Sequence, residues 1–138
     1  QKHLEILEKY LEDFLIRNWA QTALAKEYDV YEEDDDEDGK YTGQQYPTDT
    51  GRMDILAISK DKQTLLVIEL KRGCASDAVV GQILRYMGYV KEELAKDDQS
   101  VKGIIIAMDD DQNIQRALAM VPEIEFYRYQ VSFKLNKV

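Results

Sequence analysis

Arg52-Met53-Asp54-Ile55-Leu56-Ala57-Ile58, then Ser59-Lys60-Asp61-Lys62-Gln63, then Thr64-Leu65-Leu66-Val67-Ile68-Glu69-Leu70-Lys71 is the stretch on which the fold turns. The flanking segments alternate with a period of two, and the polar segment between them supplies a turn, so the whole predicts a β-hairpin. In the first strand Asp54, Leu56 and Ile58 share one side; in the second Leu65, Val67, Glu69 and Lys71 share one face. A turn centred between Asp61 and Lys62 sets Leu65 opposite Ile58 and Glu69 opposite Asp54. Carboxylates directly opposed across a sheet repel each other, and a hard divalent cation such as Mg²⁺ removes that repulsion. Lys71, two residues on, points the same way. Charged residues also end many edge strands, so Glu-Leu-Lys fits a solvated, salt-bridged lip equally simply. On spacing alone that plainer reading is favoured, because short motifs recur by chance.

Outward from the hairpin, the N-terminal segment places Leu4, Leu7, Leu11, Phe14 and Leu15 at helical spacing, with Glu5, Glu8 and Glu12 along an acidic edge. Tyr28 to Tyr31 predicts a short strand, and Gln44-Gln45-Tyr46 a partner ended by Pro47. After Gly73 closes the second hairpin strand, Ser76-Asp77 predicts a cap on a helix running to about Lys96. Gly81 and Gly88 lie on one side of that helix, which suggests close packing on the sheet. Val101 to Met108 predicts a buried strand, Asp111 to Met120 a short helix, and Ile124 to about Leu135 an extended segment. The order α-β-β-β-β-α-β-α-β predicts an α/β fold, a mixed sheet flanked by helices.

The 138 residues fit one domain, and 44% hydrophobic residues suffice for a core. The longest apolar stretch, Gly103 to Met108, is far short of the ~20 residues of a membrane span. Cys74 alone cannot form an intrachain disulfide, and with His3 alone it cannot build a Cys/His zinc site. With no leader in view, the expected compartment is the cytoplasm, and Gln1 in place of Met suggests an excised domain. The net charge of −9 falls to −2 once the seven acids of residues 32–38 are set aside. Such a run reads as a solvated loop, or as the acidic surface of an interaction domain, and argues only weakly against a nucleic-acid partner.

Gly51-Arg52-Met53-Asp54-Ile55-Leu56, the fifteen-residue interval to Glu69, and Ile68-Glu69-Leu70-Lys71-Arg72 resemble the PD-(D/E)XK nuclease signature, with Met53 in place of the name-giving Pro. Within that superfamily the sequence is most similar to the NucS/EndoMS type. Gln82-Ile83-Leu84-Arg85-Tyr86 resembles its Gln-x-x-x-Tyr helix, Leu11-Glu12 to Asn18 its first helix, and Val101 to Ile104 its following strand. The likeness covers most of the chain, with residues 32–40 as an acidic insertion; the separate DNA-binding domain of that type is absent from these 138 residues.

The resemblance implies a restriction-endonuclease-like fold and Mg²⁺-dependent (or Mn²⁺-dependent) hydrolysis of DNA, in repair or defence. Asp54, Glu69 and the Leu70 carbonyl would hold the metal, and Lys71 would orient or activate the attacking water, or stabilise charge developing on the phosphate. Glu12 would meet a second metal or a metal-bound water, its alternative being an ordinary acidic face. Gln82 would bond the site water or Lys71. Arg52, Arg72 and Arg85 could meet phosphates, a solvated helix surface fitting Arg85 at least as well, and Tyr86 could support the site or touch DNA, a core role being the better fit for it. Cutting both strands would call for a homodimer. The rival expectation is a catalytically silent nuclease-fold module that binds DNA or protein. His3 reads as a surface residue, Cys74 as partly buried and Trp19 as core.

Overall fold

The computed structural model describes residues 2–35, 39–130 and 134–138. Helix α1 (Lys2–Arg17) is followed by two short 3-10 turns and strands β1 (Tyr28–Val30), β2 (Glu32–Asp35), β3 (Gly39–Thr42), β4 (Gln44–Thr48), β5 (Gly51–Ser59) and β6 (Thr64–Ala75). Helix α2 (Ala78–Tyr89) continues into a π turn over Val90–Leu94, and β7 (Ser100–Asp110), α3 (Gln112–Ala119) and β8 (Ile124–Arg128) complete the order. The main sheet runs β1-β5-β6-β7-β8, with β4 pairing the other half of β5; β2 and β3 form a separate two-stranded sheet. Pairing is antiparallel from β4 and β1 through β6, and parallel from β6 to β8. This is the mixed α/β sheet expected.

Chemistry explains why β6 lies at the centre. Leu65 to Leu70 are all buried, as a strand covered on both faces requires. On one face Leu66, Ile68 and Leu70 pack with Ile55, Ala57, Trp19 and the α1 residues Leu11, Leu15 and Ile16. On the other, Leu65, Val67 and Leu56 pack with Val79, Val80, Ile83 and Met87 of α2. Gly103 makes that second contact possible, since a Cβ there would lie 2.9 Å from both Ile83 Cδ1 and Met87 Sδ.

The central hairpin has the register read from its turn: Ile58 pairs Leu65, Leu56 pairs Val67 and Ile55 pairs Ile68. The ladder stops there, one step before Asp54 and Glu69. Met53 joins the α2-side core together with Leu56, although strict alternation would group it with Ile55. The two strands therefore part where the acids stand.

Several expectations are corrected. Glu32–Asp35 is a strand, pairing Gly39–Thr42, and not a loop; residues 36–38 of the acid run lie outside the described residues. Its Glu33 accepts hydrogen bonds from the Tyr31 and Tyr46 hydroxyls, at 2.9 Å each, which ties the hairpin to β4. Pro47 does not end β4 but pairs Arg52, because an edge strand tolerates a missing donor. Strand β6 runs past Gly73 (φ +84), which sits in a register shift between Lys71 and Cys74. Asp77 makes no side-chain cap bond to α2. Gly81 and Gly88 face solvent, as do Phe14 and Cys74. Strand β8 ends at Arg128, and the expected extension crosses residues 131–133, outside the described residues, as do the side chains of His3, Leu4 and Leu7.

Candidate active site

Asp54 and Glu69 each bond the backbone of the opposite strand where β5 and β6 part. The Asp54 backbone N–H donates to Glu69 Oε1 (3.3 Å), and the Leu70 N–H donates to Asp54 Oδ2 (2.8 Å). Side-chain oxygens thus replace the ladder that has just ended, and they fix the two carboxylates beside each other. Glu69 is 2% exposed. Burial, and then the neighbouring Asp54 charge, push its carboxyl up to about 8, opposed in part by the Asp54 N–H and the Lys71 ammonium. A buried acid held this far from its ordinary range is a functional-site signal.

Glu12 reaches the same place from α1 and is 3% exposed. Burial raises its pKa, which the Gln45 amide and Lys9 oppose and the Asp54 charge augments. Gln45 Nε2 donates to both Glu12 oxygens (3.0 Å each) and lies 3.4 Å from Asp54 Oδ1. Beside it, Gln44 Nε2 donates to Asp13 Oδ1 (2.6 Å). The tandem glutamines of β4 therefore clasp the tandem acids of α1. Sequence reasoning does not single out Gln45, yet a signal is present: a turn centred between Asp49 and Thr50 places Gln45 opposite Asp54, and the register of β4 on β5 conforms to it.

Lys71 and Gln82 line one pocket of about 260 Å³ with Arg72, Cys74, Ser76 and Val79. Among the described residues neither the Lys71 ammonium nor the Gln82 amide has a hydrogen bond or ion pair, so both are available to a ligand. Leu70, between Glu69 and Lys71, is buried. Arg52 is exposed, and its Nη1 donates to the Gln45 carbonyl (3.1 Å). Arg72 and Arg85 are exposed on β6 and α2. Tyr86 is 7% exposed within the α2-side core, its hydroxyl against Gly51. The structure thus brings Asp54, Glu69, Leu70, Glu12 and Gln45 together, sets Lys71 and Gln82 on an adjoining pocket, and leaves Arg85 on the helix surface.

Among the described residues no three Asp, Glu, His or Cys side chains form a ready-made metal cage. The Gln45 amide stands between Glu12 and Asp54, which leaves Asp54 and Glu69 as the pair in mutual contact. Two carboxylates still suit Mg²⁺, which keeps several of its waters. The donors are all oxygen, and two acids held close together, one of them raised by burial and by its neighbour's charge, are relieved by a cation, so the residues fit such an ion.

This mixed sheet, with helices on both faces, is a fold shared with solved structures. The chain superposes on the crystal structure of a repair endonuclease from Pyrococcus abyssi with a TM-score of 0.67 and 23% identity, covering 89% of this chain and 46% of that one. It superposes on EndoMS in a complex with dsDNA with a TM-score of 0.66 and 20% identity, covering 90% and 44%. Residues 35–133 match the Endonuclease NucS C-terminal domain, and the chain belongs to that family. Endonuclease NucS of Sulfolobus acidocaldarius is 34% identical over 93 residues, covering 67% of this chain and 34% of that protein. The chain thus spans about a third of the length of this curated relative. Glu12 lies ahead of the residues matched to the family.

Proposed function

We propose that the chain is the hydrolytic domain of a metal-dependent deoxyribonuclease. The observation that carries this reading is the crossed bonding of Asp54 and Glu69 at the end of a strand ladder, with Lys71 two residues further along β6. Asp54, Glu69 and the Leu70 carbonyl would hold Mg²⁺, with Mn²⁺ as a substitute. When bound, the ion supplies charge to polarise a phosphodiester and acidify a water.

The chain's own residues do the rest. The strand backbone fixes the two carboxylates without help from flexible loops. Lys71 orients the attacking water or meets charge developing on the phosphate, and Gln82, across the same pocket, holds a water or phosphate oxygen. Arg72 at the pocket rim and Arg52 beside β4 contact the nucleic-acid backbone, which positions without reading sequence. DNA is the favoured substrate because the family takes its name from an endonuclease and one structural neighbour was solved with dsDNA. A double-strand cut would then use two copies of the site, hence a homodimer.

The test is cleavage of labelled DNA duplexes, branched forms and single strands, with and without Mg²⁺, by the wild type and by Asp54→Ala, Glu69→Ala and Lys71→Ala. Mg²⁺-dependent cleavage lost in all three folded variants supports the reading. Undiminished cleavage by the variants overturns it. Binding of DNA without cleavage by the wild type would leave a silent module.

A further inference from the structure

Gln45 occupies an unusual backbone position for a residue with a Cβ. Its φ is +52°, in the left-handed region that glycine favours. The conformation is held from outside by Arg52 Nη1 on its carbonyl oxygen (3.1 Å) and turns the side chain into the space between α1 and β5. An amide nitrogen carries two protons. One is shared between the two oxygens of Glu12 and the other is directed at Asp54 Oδ1. A neutral group therefore fills the gap between two carboxylates, where a cation would otherwise be drawn. The Lys9 ammonium approaches Glu12 to 3.8 Å from the solvent side and is half exposed, so it does not enter the gap. Asp54 does not need the amide for its own orientation, because the Leu70 N–H holds Oδ2 at 2.8 Å.

We propose that Gln45 is a positioning residue that restricts the site to a single divalent cation, held at Asp54 and Glu69, by filling the gap between Glu12 and Asp54. This rests on the metal-dependent reading above. With the amide removed, the neutral group between Glu12 and Asp54 is gone. A second divalent ion then takes the gap, since two carboxylates and waters suffice for one.

The experiment is a titration of the whole chain with Mn²⁺, the free ion being counted by electron paramagnetic resonance, alongside melting curves in chelator to confirm folding. The variants are Gln45→Gly, which removes the amide and suits the left-handed backbone; Gln45→Gly with Glu12→Gln; and Gln44→Ala, which breaks the clasp on Asp13 but spares the gap. Gln45→Asn, too short to span the gap, replaces Gln45→Gly if that variant does not fold. The expected stoichiometry is one Mn²⁺ in the wild type and in Gln44→Ala, two in Gln45→Gly, and one again in the double variant. Two ions in the wild type, or one in Gln45→Gly, overturn the inference while the hydrolase reading stands. No ion in the wild type overturns both.

Discussion

Asp54 and Glu69 hold each other's strands: the Asp54 N–H rests on the Glu69 carboxylate at 3.3 Å, while the Asp54 carboxylate receives the Leu70 N–H at 2.8 Å. The arrangement orients both acids without a bound ion, because each has one oxygen fixed to strand backbone. Its cost is two acidic groups at close range in a buried place, which a divalent cation would offset.

The chemistry proposed for the site divides the roles of these residues. Lys71→Ala leaves the carboxylates and their backbone bonds in place, so Mn²⁺ binding should persist while the rate of DNA cleavage falls about 10²–10³-fold. Asp54→Ala and Glu69→Ala should lose both metal binding and cleavage. Loss of Mn²⁺ binding in Lys71→Ala would show that the lysine supports the fold of the site and not the reaction.

The raised Glu69 carboxyl has a pH consequence with a definite sign. Its ordinary value is 4.5 and burial with the Asp54 charge lifts it to about 8, so the fold prefers the protonated acid. That contribution to stability is fully present below pH 4.5 and is lost as pH rises through 8. In chelator the chain should therefore lose thermal stability between about pH 5 and pH 8. Glu69→Gln, which stays neutral, should flatten that slope, and Mg²⁺ at about pH 8 should recover stability in the wild type only. Melting temperatures across this range, in chelator and in Mg²⁺, decide the matter; equal slopes for wild type and variant would refute it.

The anchoring of the acidic hairpin predicts an uneven response along one acid run. Glu33 accepts from two tyrosine hydroxyls whose rings meet edge to face at 5.8 Å, and burial together with this carboxylate raises both phenols, Tyr31 to about 12. Glu33→Ala removes the shared acceptor of two half-buried or buried hydroxyls and should cost about 2 kcal/mol. Asp34→Ala, on the exposed side of the same strand, should stay within about 0.5 kcal/mol. Chemical denaturation of the two variants gives the comparison, and similar losses would mean that the hairpin is held by something other than Glu33.

What is legible in the sequence, and what is not, divides by the range of the interactions. The hairpin register from Ile58–Leu65 to Ile55–Ile68 follows from period-two alternation and a short turn, both local properties of the chain. The helix α3 start is local too, with the Asp111 carboxylate accepting the Ile114 N–H. The acid run misleads because charge spacing reports self-repulsion, while the hydroxyls of Tyr31 and Tyr46 that hold Glu33 belong to flanking segments. Gln45 escapes notice for a similar reason: its partner Glu12 is thirty-three residues away on α1. Spacing also places Gly81 and Gly88 together without showing which way that side of α2 faces.

Glycines supply the last prediction, because similar residues should respond in opposite directions. At Gly43 the chain passes between β1 and β5, its N–H donating to Tyr31 O (2.6 Å) and its carbonyl accepting from Leu56 N (2.8 Å). A Cβ there would stand 1.9 Å from the Leu56 carbonyl oxygen, and backbone on both sides cannot yield. Gly43→Ala should therefore cost more than about 3 kcal/mol, the scale of severe overpacking. Gly88, inside α2 and exposed, has nothing within 4 Å of where an added methyl would stand. Gly88→Ala should thus stabilise the chain by about 0.5–1 kcal/mol, through helix propensity and a less disordered unfolded state. Because α2 carries Gln82, firming it without touching the pocket should leave metal binding unchanged. A Gly88→Ala chain that melts lower than the wild type would mean that this face of the helix has a partner.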